Sequence, residues 1–525
     1  MATPSLAMIP SAIADAKVFS VLPNNGDGDF TFNRDSSATR VGQNGLIQTV
    51  GYFGSELVTN GDFATDSDWT KGAGWTIGSG VASSDGTQAA TSALYQDCGI
   101  VLGKQYQVVY DVTSYTAGSV RTYLGGTSTG SVSRSATGTY TQQFSALGNQ
   151  WVTLEADANF IGSIDNVSVK EVTGDQPRLN YDISNGVVQS CPSLLLEPAS
   201  TNLITYSEAF ASWSKINLTS ADNFGISPDG TKNAAKLTEG SGTSTQYRCS
   251  IGVSSASAIH TFSCYVKRIS GTRTAYVDLG IITGFFNFDT KSIYSATGTA
   301  SFEDAGNGWY RIRLSHITAA TAAAYVGFGN GNTETYTSTG GAEILFWGMQ
   351  IEALSYATSY IPTSGASQTR AAESCLKTGL TNYIGQTEGT LFCEISGESL
   401  QENSRYMSIS VFNDPNKRLT IYQSGSVTRL INAYCSAGAT FNLQYNPPSG
   451  RLKIALGYKS GDYVLYVNGV NAATSTESAV VACSDLGLGV NEYLGTANPP
   501  SVGYSQVLLY NTRLTNAQLQ TLTTL

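Results

Sequence analysis

Residues 60–75, NGDFATDSDWTKGAGW, open a block of sequence that closes at 164–169 with IDNVSV. A second block opens at 206–237 with YSEAFASWSKINLTSADNFGISPDGTKNAAKL and closes at 345–352 with LFWGMQIE. Both openings combine acidic and aromatic residues, and short stretches of alternating apolar and polar side chains follow them. Such alternation is typical of strands with one buried face. The pattern predicts two β modules related by divergent duplication, and it does not favour an enzyme with a single pocket.

The composition supports an all-β protein of several modules. A chain of 525 residues is too long for one ordinary core, so three or four domains are expected. Charged residues make up 13%, well below the usual quarter, and the 55 glycines suit many tight turns. Long helices are not expected, because runs of strong helix formers are scarce.

Charge and hydropathy limit the classes of partner. The net charge is −10 and no cluster of Lys and Arg is present, so nucleic acid is not an expected partner. No stretch approaches the length of apolar sequence that spans a membrane, so membrane insertion is not expected. The first residues lack a positively charged segment followed by an apolar core, so we expect no signal peptide and synthesis in a cytoplasm.

Turn signals and alternating stretches divide the chain into five segments. We predict an all-β fold in which an N-terminal adaptor is followed by three β-sandwich or jelly-roll modules and a short C-terminal helix. Residues 174–204 continue the style of residues 30–51, so the first module is expected to interrupt a longer adaptor. The predicted segments are an adaptor at 1–54, a jelly roll at 55–173, an extended connector at 174–204, a second jelly roll at 205–363 and a third sandwich at 364–525.

Several local elements are predicted with a mechanism. Leu6 to Phe19 could form a short helix, and residues 105–115 alternate as a clear strand. Asn468-Gly469 follows an alternating stretch and predicts a tight hairpin. The final helix would be capped by Thr515 or Asn516. NAAKLTE (233–239) occupies the place that QAATSAL (88–94) has in the first module.

Catalytic and metal chemistry find little support. The chain has eight cysteines without a CxxC pair, so zinc is not expected and free thiols are favoured over disulfides. The two histidines, His260 and His316, lie inside strand patterns, so we expect no nucleophile-base catalysis and no enzyme activity. Paired carboxylates, the alternative for glycoside cleavage, would be Glu303-Asp304, Glu394 with Glu398, or Asp485 with Glu492.

Several separated phrases resemble the virion proteins of tailed bacteriophages. They are FNRDSSATRVGQNGLIQTV, PRLNYD, SLLLEPASTNLITYSEAFASW and ILFWGMQIEAL with ATSYIPT, within residues 30–50 and 177–363. The resemblance implies a tail or head fibre located in the virion. It also implies a homotrimer whose residues 1–54 attach to other virion proteins.

Two modules resemble known sandwich families. The first is similar to galactose-binding-like carbohydrate-binding modules, through NGDF…W and IDNVSV. The third is similar to concanavalin-A-like (laminin-G-type) sandwiches, through GDYVLYVNGV and SQVLLYNTRLTNAQLQTLTTL. The first resemblance implies a structural calcium held by Asp62, Asp66 and Asp165, although Ala64 stands where the family has an acidic residue. No other cofactor is required.

Binding of a host-surface glycan is the function that these features favour. A sugar site needs an aromatic platform and polar groups for hydroxyls. Trp69, Trp75 and Tyr95 are the candidate platform in the first module, although both tryptophans could equally fill its core. In the third module the candidates at predicted loop tips are Asn413, Asp414, Asn491, Glu492 and Tyr493. Two alternatives stay open: a polysaccharide depolymerase with accessory binding modules, and a purely architectural decoration of capsid or collar.

Overall fold

The fold is built almost entirely of antiparallel β-sheet. The computed structural model describes residues 2–51, 53–126, 128, 131–172, 175–253, 258–280, 283–318, 323–397, 403–411, 414, 416–424, 430–436, 440–448, 450–480, 482–491 and 496–525. Within these ranges it has 49 strands and one α-helix, α1 (Asn516–Thr523). No helix in the described part of the chain is long and apolar enough to cross a membrane. The predicted all-β class is confirmed.

The N-terminal segment forms six strands, of which four join the two largest sheets of the protein and two form a separate hairpin. Their bounds are β1 Leu6–Met8, β2 Ile13–Ala14, β3 Lys17–Val18, β4 Phe30–Asn33, β5 Ala38–Val41 and β6 Ile47–Val50. β5 and β6 pair as a hairpin around Gly45, whose φ of +76° suits glycine. The predicted helix from Leu6 to Phe19 is wrong, because strands β1, β2 and β3 lie within these residues.

The first sandwich consists of a six-stranded and a four-stranded sheet. Its strands are β7 Phe53–Glu56, β8 Thr70–Lys71, β9 Trp75–Gly78, β10 Val81–Asp85, β11 Ser92–Ile100, β12 Gln105–Ala117, β13 Val120–Leu124, β14 Gly138–Ser145, β15 Gln150–Ala156 and β16 Ile161–Val172. The larger sheet has the order β14-β12-β16-β10-β9 with β7 beside β16, and the smaller has the order β13-β15-β11-β8. β12 buries Tyr106, Val108 and Tyr110 as its alternation predicts.

A connector and a second sandwich follow. The connector strands are β17 Arg178–Asn180, β18 Ile183–Ser184, β19 Val187–Val188, β20 Ser193–Leu196 and β21 Ser200–Asn202. The second sandwich begins with a 3-10 turn at Phe210–Ser212. Its strands are β22 Ser214–Ile216, β23 Leu218–Gly225, β24 Ala234–Glu239, β25 Ser241–Thr245, β26 Tyr247–Gly252, β27 Ala258–Ser270, β28 Thr274–Asp278, β29 Thr283–Asn287, β30 Ser292–Ala296, β31 Thr299–Asp304, β32 Tyr310–Thr318, β33 Ala323–Gly329, β34 Tyr336–Thr339 and β35 Glu343–Glu352.

The first two sandwiches share one strand order. In the second, β28-β33-β26-β22 matches β13-β15-β11-β8 of the first, and β32-β27-β35-β24-β23 matches β14-β12-β16-β10-β9. This common order is what a duplication would produce. NAAKLTE forms β24, which corresponds to β10 and not to the QAATSAL stretch that leads into β11, so that detailed match was wrong.

The third sandwich draws on both ends of the chain. Its own strands are β36 Gln368–Arg370, β37 Ser374–Lys377, β38 Glu388–Ser396, β39 Arg405–Ser410, β40 Arg418–Gln423, β41 Ile431–Ser436, β42 Thr440–Tyr445, β43 Leu452–Lys459, β44 Tyr463–Val467, β45 Val470–Ser475, β46 Asp485–Leu488, β47 Val490–Asn491, β48 Thr496–Ala497 and β49 Val502–Tyr510. One sheet has the order β17-β20-β49-β38-β43-β44-β45 with β1 beside β49. The other has the order β2-β3-β4-β37-β46-β39-β40-β41-β42.

This topology changes the expected role of residues 1–54. Leu6 and Met8 of β1 are fully buried in the core of the third sandwich, and so are Leu194 and Leu196 of β20. Strands β1 and β20 together cover an edge of β49 that would otherwise expose unpaired backbone groups. The N-terminal segment is thus not a separate adaptor, because most of its strands complete the sheets of the third sandwich.

Two local predictions near the C-terminus are confirmed. Asn468 and Gly469 both have positive φ, 48° and 79°, and turn the chain between β44 and β45. Thr515 caps α1 through a capping box in which Gln518 reciprocates. All eight cysteines, which fall within the described ranges, are free thiols.

A buried ionic cluster joins the third sandwich to the second. It consists of three arginines and two glutamates: Arg34, Arg178, Arg370, Glu197 and Glu373. Glu373 accepts hydrogen bonds from Arg178 Nε at 2.8 Å and from Arg178 Nη2. It also accepts one from Arg34 Nη1 at 2.8 Å. Glu197 accepts from Arg178 Nη1 at 2.8 Å and lies 3.0 Å from Arg370 Nη1.

The cluster compensates its own burial. Burial alone would raise the pKa of Glu197, but Arg370 and Arg178 hold that pKa well below its ordinary value. Burial alone would lower the pKa of Arg178, but Glu373 and Glu197 outweigh it. Backbone and hydroxyl groups complete the shell, since Ser359 N donates to Glu197 at 2.9 Å. Each charge is therefore paired and hydrogen-bonded, as a buried ion must be.

Candidate functional site: an aromatic face on the first sandwich

The outer face of the four-stranded sheet carries aromatic rings above an apolar core. Along β11, Leu94 is buried whereas Tyr95 points outward and is half-buried. In β15 the outward residues are Trp151, Thr153 and Glu155, in antiphase with the buried Val152 and Leu154. Strand alternation thus places rings and polar groups on one surface.

Strand register brings these residues together. Tyr123 of β13 lies opposite Thr153 of β15, which lies opposite Tyr95 of β11. Across two strand spacings, the backbones of Tyr123 and Tyr95 are therefore about 10 Å apart. Trp151 packs edge-on against Tyr95 with ring centroids 5.3 Å apart and an interplanar angle of 82°. We call Tyr95, Tyr123 and Trp151 the aromatic face.

An ion pair lies at one side of the aromatic face. Arg121 donates through Nε to Glu155 Oε1 at 2.7 Å, and its Nη2 donates to the same oxygen. Tyr123 donates its hydroxyl to Glu155 Oε2 at 3.1 Å. Burial and the Glu155 carboxylate raise the pKa of Tyr123, so this phenol stays a neutral donor at ordinary pH.

This arrangement has the parts of a sugar platform. Aromatic rings can pack against the apolar C–H surface of a pyranose, and carboxylate, guanidinium and hydroxyl groups can bond its hydroxyls. Packing and ion pairing hold the groups in place before any ligand arrives, which lowers the entropy lost on binding. All three rings of the aromatic face are partly exposed.

Two of the predicted platform residues are not on this face. Trp69 and Trp75 are only 7% and 5% exposed and belong to the core of the first sandwich. Their indole nitrogens donate to Asn60 O at 3.0 Å and Ser92 O at 3.1 Å. The prediction that they bind glycan is therefore wrong, because both rings fill the sandwich interior.

Tyr95 alone of the predicted trio lies on the aromatic face. Trp151 and Tyr123 were not identified as site residues from the sequence. The signal was present in the phase of the alternation, since Trp151, Thr153 and Glu155 share one side of β15.

The predicted loop-tip residues of the third sandwich do not form a site in the described structure. Asn413, Glu492 and Tyr493 lie outside the described residues. Asp414 belongs to a turn in which it accepts from Asn416 N at 2.9 Å and lies 3.6 Å from Lys417 Nζ. Asn491 ends the short strand β47, where its backbone pairs with Thr496.

The predicted calcium ligands are not assembled either. Asp66 forms an ion pair with Lys71, and Asp165 accepts from Asn166 N at 2.7 Å. The exposed Asp62 accepts only a 3.4 Å bond from Ala64 N. Among the residues that the structure describes, no group of three or more His, Cys, Asp or Glu side chains could hold a metal ion.

Two of the carboxylates considered for glycoside cleavage form ion pairs with arginines, and two others lie outside the described residues. Glu303 lies 2.7 Å from Arg313 Nη1, and Glu394 forms an ion pair with Arg451. Glu398 and Glu492 lie outside the described residues. His260 and His316 face each other on the paired strands β27 and β32.

Comparison with known proteins returns weak structural likenesses. No protein-family model and no curated protein matches the sequence. The chain is similar to the CBM40 of Ruminococcus gnavus IT-sialidase, with 17% identity and a TM-score of 0.24, over 26% of this chain and 84% of that one. It is similar to Domain 4 of the GH43 extracellular arabinanase AbnA from Geobacillus stearothermophilus, with 17% identity and a TM-score of 0.26, over 32% and 82%. The CBM22-1-CBM22-2 tandem of Paenibacillus barcinonensis Xyn10C matches with 14% identity and a TM-score of 0.22, over 58% and 98%.

Proposed function

We propose that this protein is a structural component of a bacteriophage virion that binds glycans of the host surface through the aromatic face. The observation that carries the binding proposal is the outward assembly of Tyr95, Trp151 and Tyr123 beside the Arg121–Glu155 ion pair. The virion location and a homotrimeric state are supported by the phrases that resemble phage fibre proteins.

Binding on such a face needs no catalytic turnover. Each ring buries apolar sugar surface, and the ion pair offers both a donor and an acceptor to hydroxyls. Single contacts of this kind are weak. Three chains in a fibre and several fibres on a particle would raise the avidity roughly 10²–10⁴-fold through effective concentration.

The binding proposal can be tested with the full chain on an array of bacterial surface polysaccharides. We expect Trp151→Ala and Tyr95→Ala to lose at least about tenfold in affinity for the glycans that the wild type retains. Tyr294→Ala is a matched control, because Tyr294 is an exposed tyrosine of the second sandwich. The proposal would be overturned if the wild type bound no glycan, or if all three variants bound as the wild type does.

The location is tested by electron microscopy of virions labelled with an antibody against residues 364–525. Label at the ends of tail appendages would indicate an adsorption protein. Label over the capsid, together with an empty glycan array, would indicate a decoration without a binding role. Sedimentation at micromolar concentration tests the trimer, and a monomer there would contradict it.

A further inference from the structure

A cleft of about 320 Å³ lies where the first sandwich, the β5–β6 hairpin and the second sandwich meet. Its volume falls in the range of small-molecule sites. It is separate from the aromatic face, which lies on the smaller sheet of the first sandwich. Its lining includes Gln107 and Arg134 of the first sandwich, Gln48 of the hairpin, and Glu208, Asp229 and Trp347 of the second.

Polar contacts across the junction fix the walls of the cleft. Arg134 Nη1 donates to Asn223 Oδ1 at 2.8 Å, and Asn223 Nδ2 returns a bond to Ser133 O at 3.1 Å. Gln142 Nε2 donates to Ser364 Oγ at 2.8 Å. The hairpin is held as well, since Ile47 N donates to Pro228 O at 2.9 Å. A ligand would therefore meet a site that is already formed.

Two carboxyl groups share one donor in this cleft. Asn233 Nδ2 lies 3.0 Å from Glu208 Oε2 and 3.0 Å from Asp229 Oδ2. Asp229 is held as an acceptor by its own turn, because Thr231 N and Thr231 Oγ1 donate to Oδ1 at 2.7 and 2.8 Å. Among the described residues, the other hydrogen bond that Glu208 accepts comes from the Tyr360 hydroxyl, at 2.9 Å. Of the two carboxyl groups, Glu208 therefore accepts fewer hydrogen bonds from the described part of the protein.

The ionisation of the two groups differs accordingly. Burial and the nearby Asp229 raise the pKa of Glu208 to about 7, although Arg134 opposes the shift. Glu208 can therefore carry a proton at mildly acidic pH and act as a hydrogen-bond donor. With Glu208 neutral, Arg134 and Asp229 balance each other, so the charged residues that line the cleft have no net charge.

Several buried polar atoms around the cleft, Gln143 Nε2 among them, have no hydrogen-bond partner in the described structure. Three of them, Trp347 Nε1, Arg134 Nε and Asn233 Oδ1, belong to the most buried residues. Their residues are 1%, 3% and 5% exposed, and Trp347 and Arg134 line the cleft. Buried polar groups in native proteins are almost always paired, so such a group needs an explanation. Two of these atoms are donors and one is an acceptor.

We infer that the cleft binds one neutral polyhydroxylated unit, a saccharide residue, between the first and second sandwiches. A hydroxyl both donates and accepts, so it matches unpaired atoms of both kinds as well as the amides of Gln48 and Gln107. The rings of Trp347 and Tyr360, with centroids 4.5 Å apart, are buried and close the inner wall of the cleft. A strongly charged ligand would meet no opposing net charge. The site does not depend on the aromatic face.

Fluorine NMR of the full chain labelled with 5-fluorotryptophan tests this site. The sequence has six tryptophans, of which Trp347 reports on the cleft and Trp151 on the aromatic face. The probes are glucose, galactose and N-acetylglucosamine, with glucuronate as a charged comparison. We expect at least one neutral sugar to shift the Trp347 resonance at up to about 50 mM, above the millimolar range of weak single contacts. Glucuronate should shift it less.

Variants separate the two sites and keep the test independent of folding failures. Trp347→Phe assigns the resonance, and Tyr360→Phe assigns it through ring contact if the first variant does not fold. Gln107→Ala and Glu208→Gln should weaken the Trp347 response about fivefold, the effect of one lost hydrogen bond. Trp151→Ala should leave it unchanged, since that side chain is on the aromatic face.

Each outcome decides between the two sites. A Trp347 response that persists while Trp151 never responds to these sugars would support the cleft as a site of its own, and the glycan array would then decide the aromatic face. No Trp347 response to any sugar, in a chain whose resonances are dispersed as in a folded protein, would overturn the cleft proposal. A response that disappears in Trp151→Ala would also overturn it, because the shift would then originate on the aromatic face.

Discussion

The buried ionic cluster and the aromatic face differ in how they use polar groups. In the cluster, Arg34 and Glu373 are 339 positions apart in sequence, and both side chains are shielded from water. On the aromatic face, Arg121 and Glu155 pair across neighbouring strands of one sandwich and stay partly exposed. The charged groups of the cluster are paired with one another and lie out of reach of solvent. The rings of the face stay partly exposed, as the proposed binding requires.

Three residues of the ionic cluster lie in the separated sequence phrases within residues 30–50 and 177–363. Arg34 lies in FNRDSSATRV, Arg178 in PRLNYD and Glu197 in SLLLEPASTN. These are the phrases on which the proposed virion location rests. In this structure their charged residues hold the second and third sandwiches together, whereas the aromatic face lies outside the phrases. A recurring phrase can thus mark a structural junction and not a binding site.

The largest effect is expected from Glu373→Gln. The change removes one of the two negative charges that are paired with three buried arginines, so Arg34 and Arg178 lose their main partner. Breaking a buried pair in this way costs about 3–5 kcal/mol. Urea or thermal unfolding of the purified chain measures the loss.

The control for that prediction is Glu155→Gln, which removes an ion pair at the surface of the first sandwich. Such a pair contributes about 0–1 kcal/mol. If both variants lost the same small amount, the cluster would not be the structural junction that the geometry indicates.

Leu6→Ala tests the role of the N-terminal strand. Leu6 is fully buried in the core of the third sandwich, and truncation of such a leucine costs about 2–5 kcal/mol. Proteolysis should then release fragments of the third sandwich before those of the first. An N-terminal arm reserved for attachment would behave differently, since the variant would unfold like the wild type. Ile9→Ala, at a 42% exposed neighbour of β1, is the matched control.

Local patterns were predictable where neighbouring residues decide the structure. The Asn468-Gly469 turn, the Thr515 cap and the alternation of residues 105–115 depend on short-range chemistry, and all three were found. β1 was mistaken for a helix because only its pairing with β49, about 500 positions away in sequence, decides its conformation. No local signal carries that information.

The candidate site was only partly predictable for a related reason. A tryptophan in a strand may face the core or the solvent, and the choice depends on the phase of the whole strand. Trp75 shares its side of β9 with the buried Ile77, whereas Trp151 shares its side of β15 with Thr153 and Glu155. The cleft joins three separate segments, so its residues could not be grouped before the fold was known.

A moderate effect is expected from pH at Glu208. Its pKa is raised from 4.5 to about 7, so between these values the folded chain holds a proton that the unfolded chain releases. Stability should therefore fall as the pH rises through this window and change little above it. A pKa difference of this size limits the loss in the free energy of unfolding to about 3 kcal/mol. Because Glu208 is only half-buried, we expect a smaller loss of about 1–2 kcal/mol.

Glu208→Gln supplies the matched comparison for that pH dependence. The groups facing Glu208 are Asp229, Arg134 and Tyr360, and the substitution leaves all three in place. The unfolding midpoints of wild type and variant should be similar at pH 5, where Glu208 is protonated. They should differ at pH 8, where Glu208 is ionised and the wild type is less stable. Parallel pH profiles would show that Glu208 does not titrate in this window.

The smallest effect, and the finest test of the comparison, is the coupling of Tyr95 and Trp151. Their edge-on contact should contribute about 0.5–1.5 kcal/mol beyond the area that each ring buries. A double-mutant cycle with Tyr95→Ala, Trp151→Ala and the combined variant measures this term in unfolding. The same cycle in glycan affinity should give a larger coupling, because a sugar that touches both rings links them a second time. Equal coupling in both measurements would mean that the rings stabilise the sheet without contacting a common ligand.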